Sequence, residues 1–230
     1  MQALIFDCDG VLVDTERDGH RVAFNRAFAR MGLDTEWSEE RYGVLLGTAG
    51  GKERMRVHFD EVGWPVAERK RDDFILDLHK LKTAIFMELI DSGALPLRPG
   101  VAEKVDAAIG DGCKLAVCST SNERAVQAVV DILLGPERAR HMPVFAGDMV
   151  AAKKPDPAVY LLAKDRMDLS PGQCLVVEDS AIGLRAALAA GMRCIVTKST
   201  YTAGENFTGA REVLNDLSEI DWSDCQAICR

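Results

Sequence analysis

The chain has no apolar run of roughly 18 residues or more, so no segment reads as a membrane-spanning helix. Its opening, MQALIFDCDG, carries an acid inside the apolar stretch and no basic segment before it, which argues against a signal peptide. Positive charge is in deficit. Against 36 Asp and Glu stand 28 Lys and Arg, a net charge of −8. That balance disfavours nonspecific nucleic-acid binding, which needs net basic surface, but a local group of cations can still receive a small anionic substrate. No two of the 7 cysteines form a C-x-x-C pair. An odd count without a spacing framework predicts free thiols in a reducing compartment. Cys8, Cys118, Cys174 and Cys194 lie in apolar runs as small hydrophobes. Cys225 and Cys229 stand one helical turn apart, where a regulatory disulfide is the alternative to free thiols. Internal repeats and low-complexity tracts are absent.

A P-loop is missing too. The basic, glycine-rich turn GTAGGKER at residues 47–54 is one residue short between Gly47 and Gly51. Glu53 replaces the hydroxyl that would face magnesium, and no strand precedes the turn. What such a turn would grip has to be read from the rest of the chain.

At 230 residues and 47% hydrophobic, the chain can fill one core and a smaller second unit. Continuous apolar runs at ALIF (3–6), KLAVCS (114–119), PVFAG (143–147), CLVVE (174–178) and RCIVT (193–197) suit strands buried on both faces. Helical patterns separate them. Val101, Val105, Ala108 and Ile109 share one face, and Ala125, Val129 and Ile132 share another. Asp156-Pro157 predicts a capped helix running to Met167, and Asp179 or Ser180 caps one ending at Gly191. The alternation predicts an α/β fold, a doubly wound parallel sheet of the Rossmann-like kind. Residues 16–94 break the rhythm with four helical patterns and no strand, the clearest being the stripe Ile75, Leu78, Ile85, Leu89. The expected domains are therefore a core of residues 1–15 and 95–230 and an inserted α-helical cap of residues 16–94.

Ligands of open parallel sheets bind at the carboxyl ends of the strands. Asp7 and Asp9 follow the first strand, Ser119 and Thr120 the second, and Glu178 and Asp179 the CLVVE strand; Lys153-Lys154-Pro155 precedes a helix. Asp7 and Asp9 are two apart and face one side of an extended chain. Carboxylates brought that close repel unless a cation intervenes. With Asp179 they form a hard-oxygen set suited to Mg²⁺, and Gly10 allows a sharp turn after them.

FDCDGVLVD, CSTSN (118–122), KKPDP (153–157) and VEDS (177–180) resemble, in order, the four motifs of the haloacid dehalogenase superfamily of aspartate-nucleophile phosphatases. The resemblance implies Asp7 as nucleophile and Asp9 as general acid, then base. Ser119 and Lys154 would hold the phosphoryl oxygens, and Lys154 is chosen over a solvated Lys153 because it directly precedes proline. Mg²⁺ would be held by Asp7, the Asp9 carbonyl and Asp179, with Glu178 behind them.

The turn at 47–54 opens the third cap helix pattern, where backbone N–H groups beside Lys52 and Arg54 suit an anion. His79 and Lys82 share a face of the final cap helix, and Thr15, Glu16 and His20 are candidates for sugar hydroxyls. Two readings stay open from spacing alone: a second phosphate grip, or a solvated helical surface. VDTERDGHRVAFN, GGKERM, HKLKT, LRPGV, AVCSTSNE, LLGPERA, FAGDMV and VVEDSAIGL are closely similar to the CbbY-type xylulose-1,5-bisphosphate phosphatases, chloroplast type, from residue 3 to about 203. That resemblance favours the first reading. It implies substrate contacts from the turn (Thr48, Gly50, Gly51, Lys52, with Arg54), from His79 and Lys82, and from Ser119, Thr120, Ser121 and Asn122. Ala49 stands where bacterial members can carry a hydroxyl, so that side-chain contact is not expected here, and the tail beyond Phe207 receives no role.

The implied task is Mg²⁺-dependent removal of the 1-phosphate from xylulose-1,5-bisphosphate, a Rubisco inhibitor. It links the chain functionally to Rubisco without direct binding. A monomer in the chloroplast stroma is expected, with the cytoplasm as alternative, and no nucleic-acid or membrane partner. Rival readings are a β-phosphoglucomutase-like mutase, a broad sugar-phosphate or phosphoglycolate phosphatase and, outside enzymes, a phospho-aspartate or ligand-sensing regulator.

Overall fold

The computed structural model describes residues 1–48 and 50–229, so the expectation attached to Ala49 lies outside the described residues. From the N-terminus, β1 (Ala3–Phe6) leads through a wide π-type turn at Thr15–Arg21 into α1 (Val22–Arg30), α2 (Glu39–Leu45), α3 (Gly51–Val62) and α4 (Arg71–Asp91). There follow α5 (Val101–Gly110), β2 (Lys114–Cys118), α6 (Glu123–Ala128), α7 (Pro136–Ala139), β3 (Val144–Phe145), α8 (Ala158–Met167) and β4 (Cys174–Glu178). The chain finishes with α9 (Ala181–Ala189), β5 (Arg193–Thr197), β6 (Val213–Leu214) and α10 (Trp222–Ile228). Two compact units result: Met1–Thr15 with Leu95–Arg230, and Glu16–Ala94.

The first unit is built on a 6-stranded sheet in the order β3-β2-β1-β4-β5-β6. Every pairing is parallel. Its strands read as unbroken apolar runs because both faces are covered. Ala3, Ile5, Ala116, Cys118, Val176 and Cys194 pack with Val159, Tyr160 and Ala163 of α8 and Leu184, Ala186 and Ala187 of α9. The alternate residues Leu4, Phe6, Leu115, Val117, Leu175, Val177 and Ile195 are buried as well. Phe6 pairs with Val117 on one side and Val177 on the other, so Asp7, Cys118 and Glu178 reach the carboxyl edge of the sheet together. Between β1 and β4 the strand order reverses, the point where a doubly wound sheet opens a crevice.

Four expectations change. PVFAG supplies only the edge strand Val144–Phe145, because Pro143 brings no N–H to the ladder and Gly147 turns at φ 56. The helix after CSTSN widens into a π-type turn over Val129–Leu134, which shifts its register; Val126, Val129, Val130 and Leu134 are buried and Ile132 is 39% exposed. The tail is integrated into the sheet unit: β6 pairs with β5, and the Trp222 indole N–H donates to Asp111 at 2.6 Å. The helix predicted at Asp156-Pro157 begins one residue later, at Ala158, whose N–H is capped by Asp156 at 2.9 Å. All 7 cysteines are free, Cys225 and Cys229 included.

The second unit is helical. Phe24, Phe28, Trp37, Tyr42, His58 and Phe59 form its aromatic centre, with the Phe24 and Trp37 rings 4.7 Å apart. Ile75, Leu78, Ile85 and Leu89 of α4 are buried as their spacing predicts. Among the described residues, no helix is long and apolar enough to cross a membrane.

Candidate active site

Asp7 leaves β1 directly into a polar cluster. Lys154 Nζ donates to Asp7 Oδ1 at 2.6 Å, to Glu178 Oε1 at 2.7 Å and to the Cys118 carbonyl at 2.8 Å. The Tyr160 hydroxyl donates to the same Glu178 oxygen at 2.6 Å. The other Glu178 oxygen accepts from the Asp179 N–H at 3.2 Å and from Ser180 Oγ at 3.4 Å. Glu178 lies flat against α9, where a Cβ on Gly183 would overlap its carboxylate. Burial alone would lower the Lys154 pKa, but Asp7 and Glu178 outweigh it and hold the ammonium charged. Burial, with the Glu178 and Asp9 carboxylates, pushes the Asp7 carboxyl up to about 7 against the pull of Lys154. Of the paired lysines, Lys154 is therefore the one the fold buries at the acids. Lys153 is not merely solvated: it donates to the Gly147 carbonyl, to Asp148 at 3.2 Å and to the Val150 carbonyl at 3.4 Å.

Asp9 is held from two sides. Thr15 Oγ1 donates to Asp9 Oδ1 at 2.6 Å, and Ser121 Oγ donates to Oδ2. Ser119 Oγ lies 3.5 Å from the same Oδ2 and accepts the Ser121 N–H at 3.0 Å. Thr15, expected at a sugar hydroxyl, is buried with its hydroxyl engaged by Asp9. Asn122 caps α6, its side-chain oxygen accepting from the N–H groups of Arg124 at 3.1 Å and Ala125 at 3.4 Å. Thr120 is exposed beside them.

Gly10 follows at φ 81, and a Cβ there would overlap the Asp179 carboxylate. Asp7, Glu178 and Asp179 each bring a carboxylate oxygen to within 4.8 Å of one another, and all three residues are buried. Burial first, then Asp7 and Glu178, push the Asp179 carboxyl well above the ordinary carboxylate range, while a hydrogen bond from Ser199 pulls it down. Acids that burial and then their neighbours' charge push toward the protonated form are what a hard divalent cation corrects, and an all-oxygen donor set fits Mg²⁺. Glu178 already spends both oxygens on Lys154, Tyr160, Asp179 and Ser180. Asp7 and Asp179 are thus the side chains suited to face the ion.

The predicted cap residues gather within the second unit. Lys82, buried, places Nζ 3.0 Å from His20 Nδ1 and 4.8 Å from the centre of the Phe24 ring. Burial, with Lys82, Arg54 and His79 nearby, holds His20 well below its ordinary pKa and so neutral. His79 is lowered too, by burial and then by Lys82 and Lys52. Arg54 donates to the Thr48 carbonyl at 3.0 Å and to the Tyr42 hydroxyl at 3.1 Å, and lies 3.7 Å from Glu16. Tyr42 in turn donates to Glu16 at 2.6 Å. Glu16 is therefore tied inside the unit, and Arg54 fastens the turn before α3. Gly50 enters α3 at φ 92, and a Cβ on Gly51 would stand 3.2 Å from Phe24 and 3.3 Å from His79. Lys52 is exposed at that helix start. Lys52, His79, Lys82 and the α3 N-terminus make one electropositive cluster around neutral imidazoles.

Sequence reasoning missed Tyr160 and Gly183. Tyr160 reads as one more apolar position of α8, and Gly183 as an ordinary small residue on a helix; neither pattern signals that both bound Glu178.

Residues 1–191 match the haloacid dehalogenase-like hydrolase family. A CBBY-like protein of Arabidopsis thaliana is 57% identical over 237 residues, which cover 99% of this chain and 74% of that protein. Protein CbbY of Rhodobacter capsulatus is 45% identical over 219 residues, 95% of this chain and 94% of its own length. A crystal structure of a CbbY mutant from Rhodobacter sphaeroides in complex with xylulose-(1,5)bisphosphate superposes with a TM-score of 0.75 at 39% identity, covering 95% of this chain and 96% of that one.

Proposed function

Because the chain belongs to the haloacid dehalogenase-like hydrolases, and among them to the CbbY-like proteins, we propose that it is a sugar-bisphosphate phosphatase that converts xylulose-1,5-bisphosphate to xylulose-5-phosphate and phosphate. The observation that carries this reading is the pair of aspartates at the end of β1 in two different settings. Asp7 is paired with a buried ammonium, as a nucleophile facing a phosphoryl group requires; Asp9 is held by hydroxyl donors, as a proton carrier requires.

Asp7 attacks phosphorus, its P–O bond forms, and the bond to the sugar oxygen breaks as Asp9 delivers a proton to that oxygen. Asp9 then takes a proton from the water that cleaves the aspartyl-phosphate, returning both carboxylates to their starting state. Lys154 and Ser119 hold the equatorial phosphoryl oxygens, where positioning and charge carry most of the catalysis. Mg²⁺, held by Asp7 and Asp179 with the Asp9 carbonyl, supplies charge neutralisation to the phosphoryl group when bound.

The electropositive cluster of Lys52, His79, Lys82 and the α3 N-terminus is the proposed receiver of the second phosphate. The neighbouring imidazoles are uncharged, so the cluster binds through lysine charge and N–H donors, as a permanent phosphate grip would. The crystal structure of the Rhodobacter sphaeroides mutant in complex with the same bisphosphate supports the choice of substrate. The proposed setting is the chloroplast stroma, where the reaction would clear a Rubisco inhibitor.

The test is Mg²⁺-dependent phosphate release from xylulose-1,5-bisphosphate beside ribulose-1,5-bisphosphate at equal concentration. Fast release from the first and little from the second is expected. Equal release from both would overturn the substrate assignment, and phosphate transfer back to sugar without net release would make the enzyme a mutase.

A further inference from the structure

Arg98 lies in the stretch LRPGV, where neither composition nor motif gives it a task. In the fold its guanidinium meets oxygens from three separate segments. Nη1 donates to the Gly10 carbonyl, to the Thr197 carbonyl at 3.1 Å and to Thr197 Oγ1 at 3.4 Å. Nη2 donates to the Lys198 carbonyl at 2.7 Å and the Asn215 carbonyl at 2.5 Å. Its own N–H donates to the Leu12 carbonyl at 2.8 Å. A planar fork of N–H donors is the side chain that can serve so many acceptors at once; a lysine ammonium offers three protons on a flexible stem.

Two of the three segments it joins border the site, and the third is the tail. Gly10 follows Asp9 and turns the chain at φ 81, its N–H donating to the Val13 carbonyl at 2.7 Å and its carbonyl accepting from Arg98, so the residue after Asp9 is anchored on both sides. Lys198 precedes Ser199, which hydrogen-bonds Asp179. Asn215 belongs to the tail, beside Leu217 and Ser218, whose backbone packs against Gly100 so closely that a Cβ there would collide with it. We infer that Arg98 is a positioning residue for proton transfer, fixing the Gly10 peptide so that Asp9 stands aligned with the leaving sugar oxygen. The inference rests on the reading of Asp9 as general acid. A loop set by one guanidinium tolerates little error, because a misplacement of about 1 Å in a catalytic group can lower a rate about 100-fold.

Leaving-group chemistry separates this role from simple support of the fold. A sugar oxygen needs the proton from Asp9 as it leaves; the nitrophenolate of p-nitrophenyl phosphate does not. For Arg98→Lys, kcat/KM, which reports steps through aspartyl-phosphate formation, is expected to fall about 10- to 100-fold on xylulose-1,5-bisphosphate and at most about threefold on p-nitrophenyl phosphate. Added guanidinium ion is expected to restore part of the sugar-phosphate activity of Arg98→Ala and none of its thermal midpoint deficit. Equal losses on both substrates, or no loss on either, would overturn the inference. If Arg98→Ala fails to fold, the substrate ratio of the lysine variant decides alone. Asp9→Asn runs alongside: should it lose both substrates alike, the assignment of Asp9 fails first, whereas a selective loss in Asp9→Asn without one in Arg98→Lys removes only the role of Arg98.

Discussion

Replacing Gly183 by alanine sets two effects against each other. In an exposed helix interior, Gly to Ala stabilises by about 1 kcal/mol through backbone entropy. At Gly183 the new methyl group would overlap the Glu178 carboxylate. Such an overlap costs little when the far end of a mobile side chain can swing away. Glu178 cannot, because Lys154 at 2.7 Å, Tyr160 at 2.6 Å and the Asp179 N–H at 3.2 Å all pin it, and it is 1% exposed. Moving the carboxylate would stretch or break two of these bonds, each worth about 1.5–3 kcal/mol where a charge is involved. Set against the helical gain, the expected net loss is about 2–5 kcal/mol. For a chain of this size that lowers Tm by about 4–20 °C, read by circular dichroism. Turnover should fall with it, since Lys154 would lose the partner that holds it beside Asp7. A Tm that rises, with turnover intact, would refute the claim that Glu178 is pinned against α9.

Lys52→Ala should raise KM for a bisphosphate far more than for a monophosphate, leaving kcat on the monophosphate unchanged; equal effects on both would end the second-phosphate reading. The helical unit should weaken in acid. Burial, then Arg41, lowers the His58 pKa, and its Nδ1 has no hydrogen-bond partner among the described residues. A histidine with a depressed folded pKa binds its proton more readily when unfolded. Stability is therefore full above the unfolded value near 6.5 and drains as pH falls below it. Denaturant midpoints from pH 7 to 5 should decline less steeply in His58→Phe, not flatten, because His20 shifts in the same direction; parallel curves would exclude His58.

Strands that form continuous apolar runs, such as ALIF and CLVVE, are legible because burial on both faces leaves a run almost without polar gaps. The edge strands were less so. Val144–Phe145 sits between a proline and a turning glycine, and Val213–Leu214 is too short to print any period. Asp7, Asp9 and Lys154 stand out in the sequence as charged side chains at a strand end or before a proline, and the motif resemblance, not their position, is what implies a role for each. Thr15 could not be placed by the same means. Its hydroxyl looks alike in sequence whether it meets a sugar or a carboxylate, and only the turn that returns it to Asp9 decides. Ile132 went to the wrong face because one wide helical turn is enough to rotate every later residue.

The Arg98 N–H to Leu12 carbonyl bond joins the two lengths of chain on either side of residues 16–94. It acts as a splice point: the sheet unit closes upon itself where the insertion leaves and returns, and Asp7, Asp9, Ser119, Lys154 and Asp179 all belong to that closed unit. On the proposed reading, mutations within the inserted helices are expected to alter which sugar is chosen without rebuilding the chemistry. A gene carrying this arrangement would then drift in substrate while its reaction stays fixed.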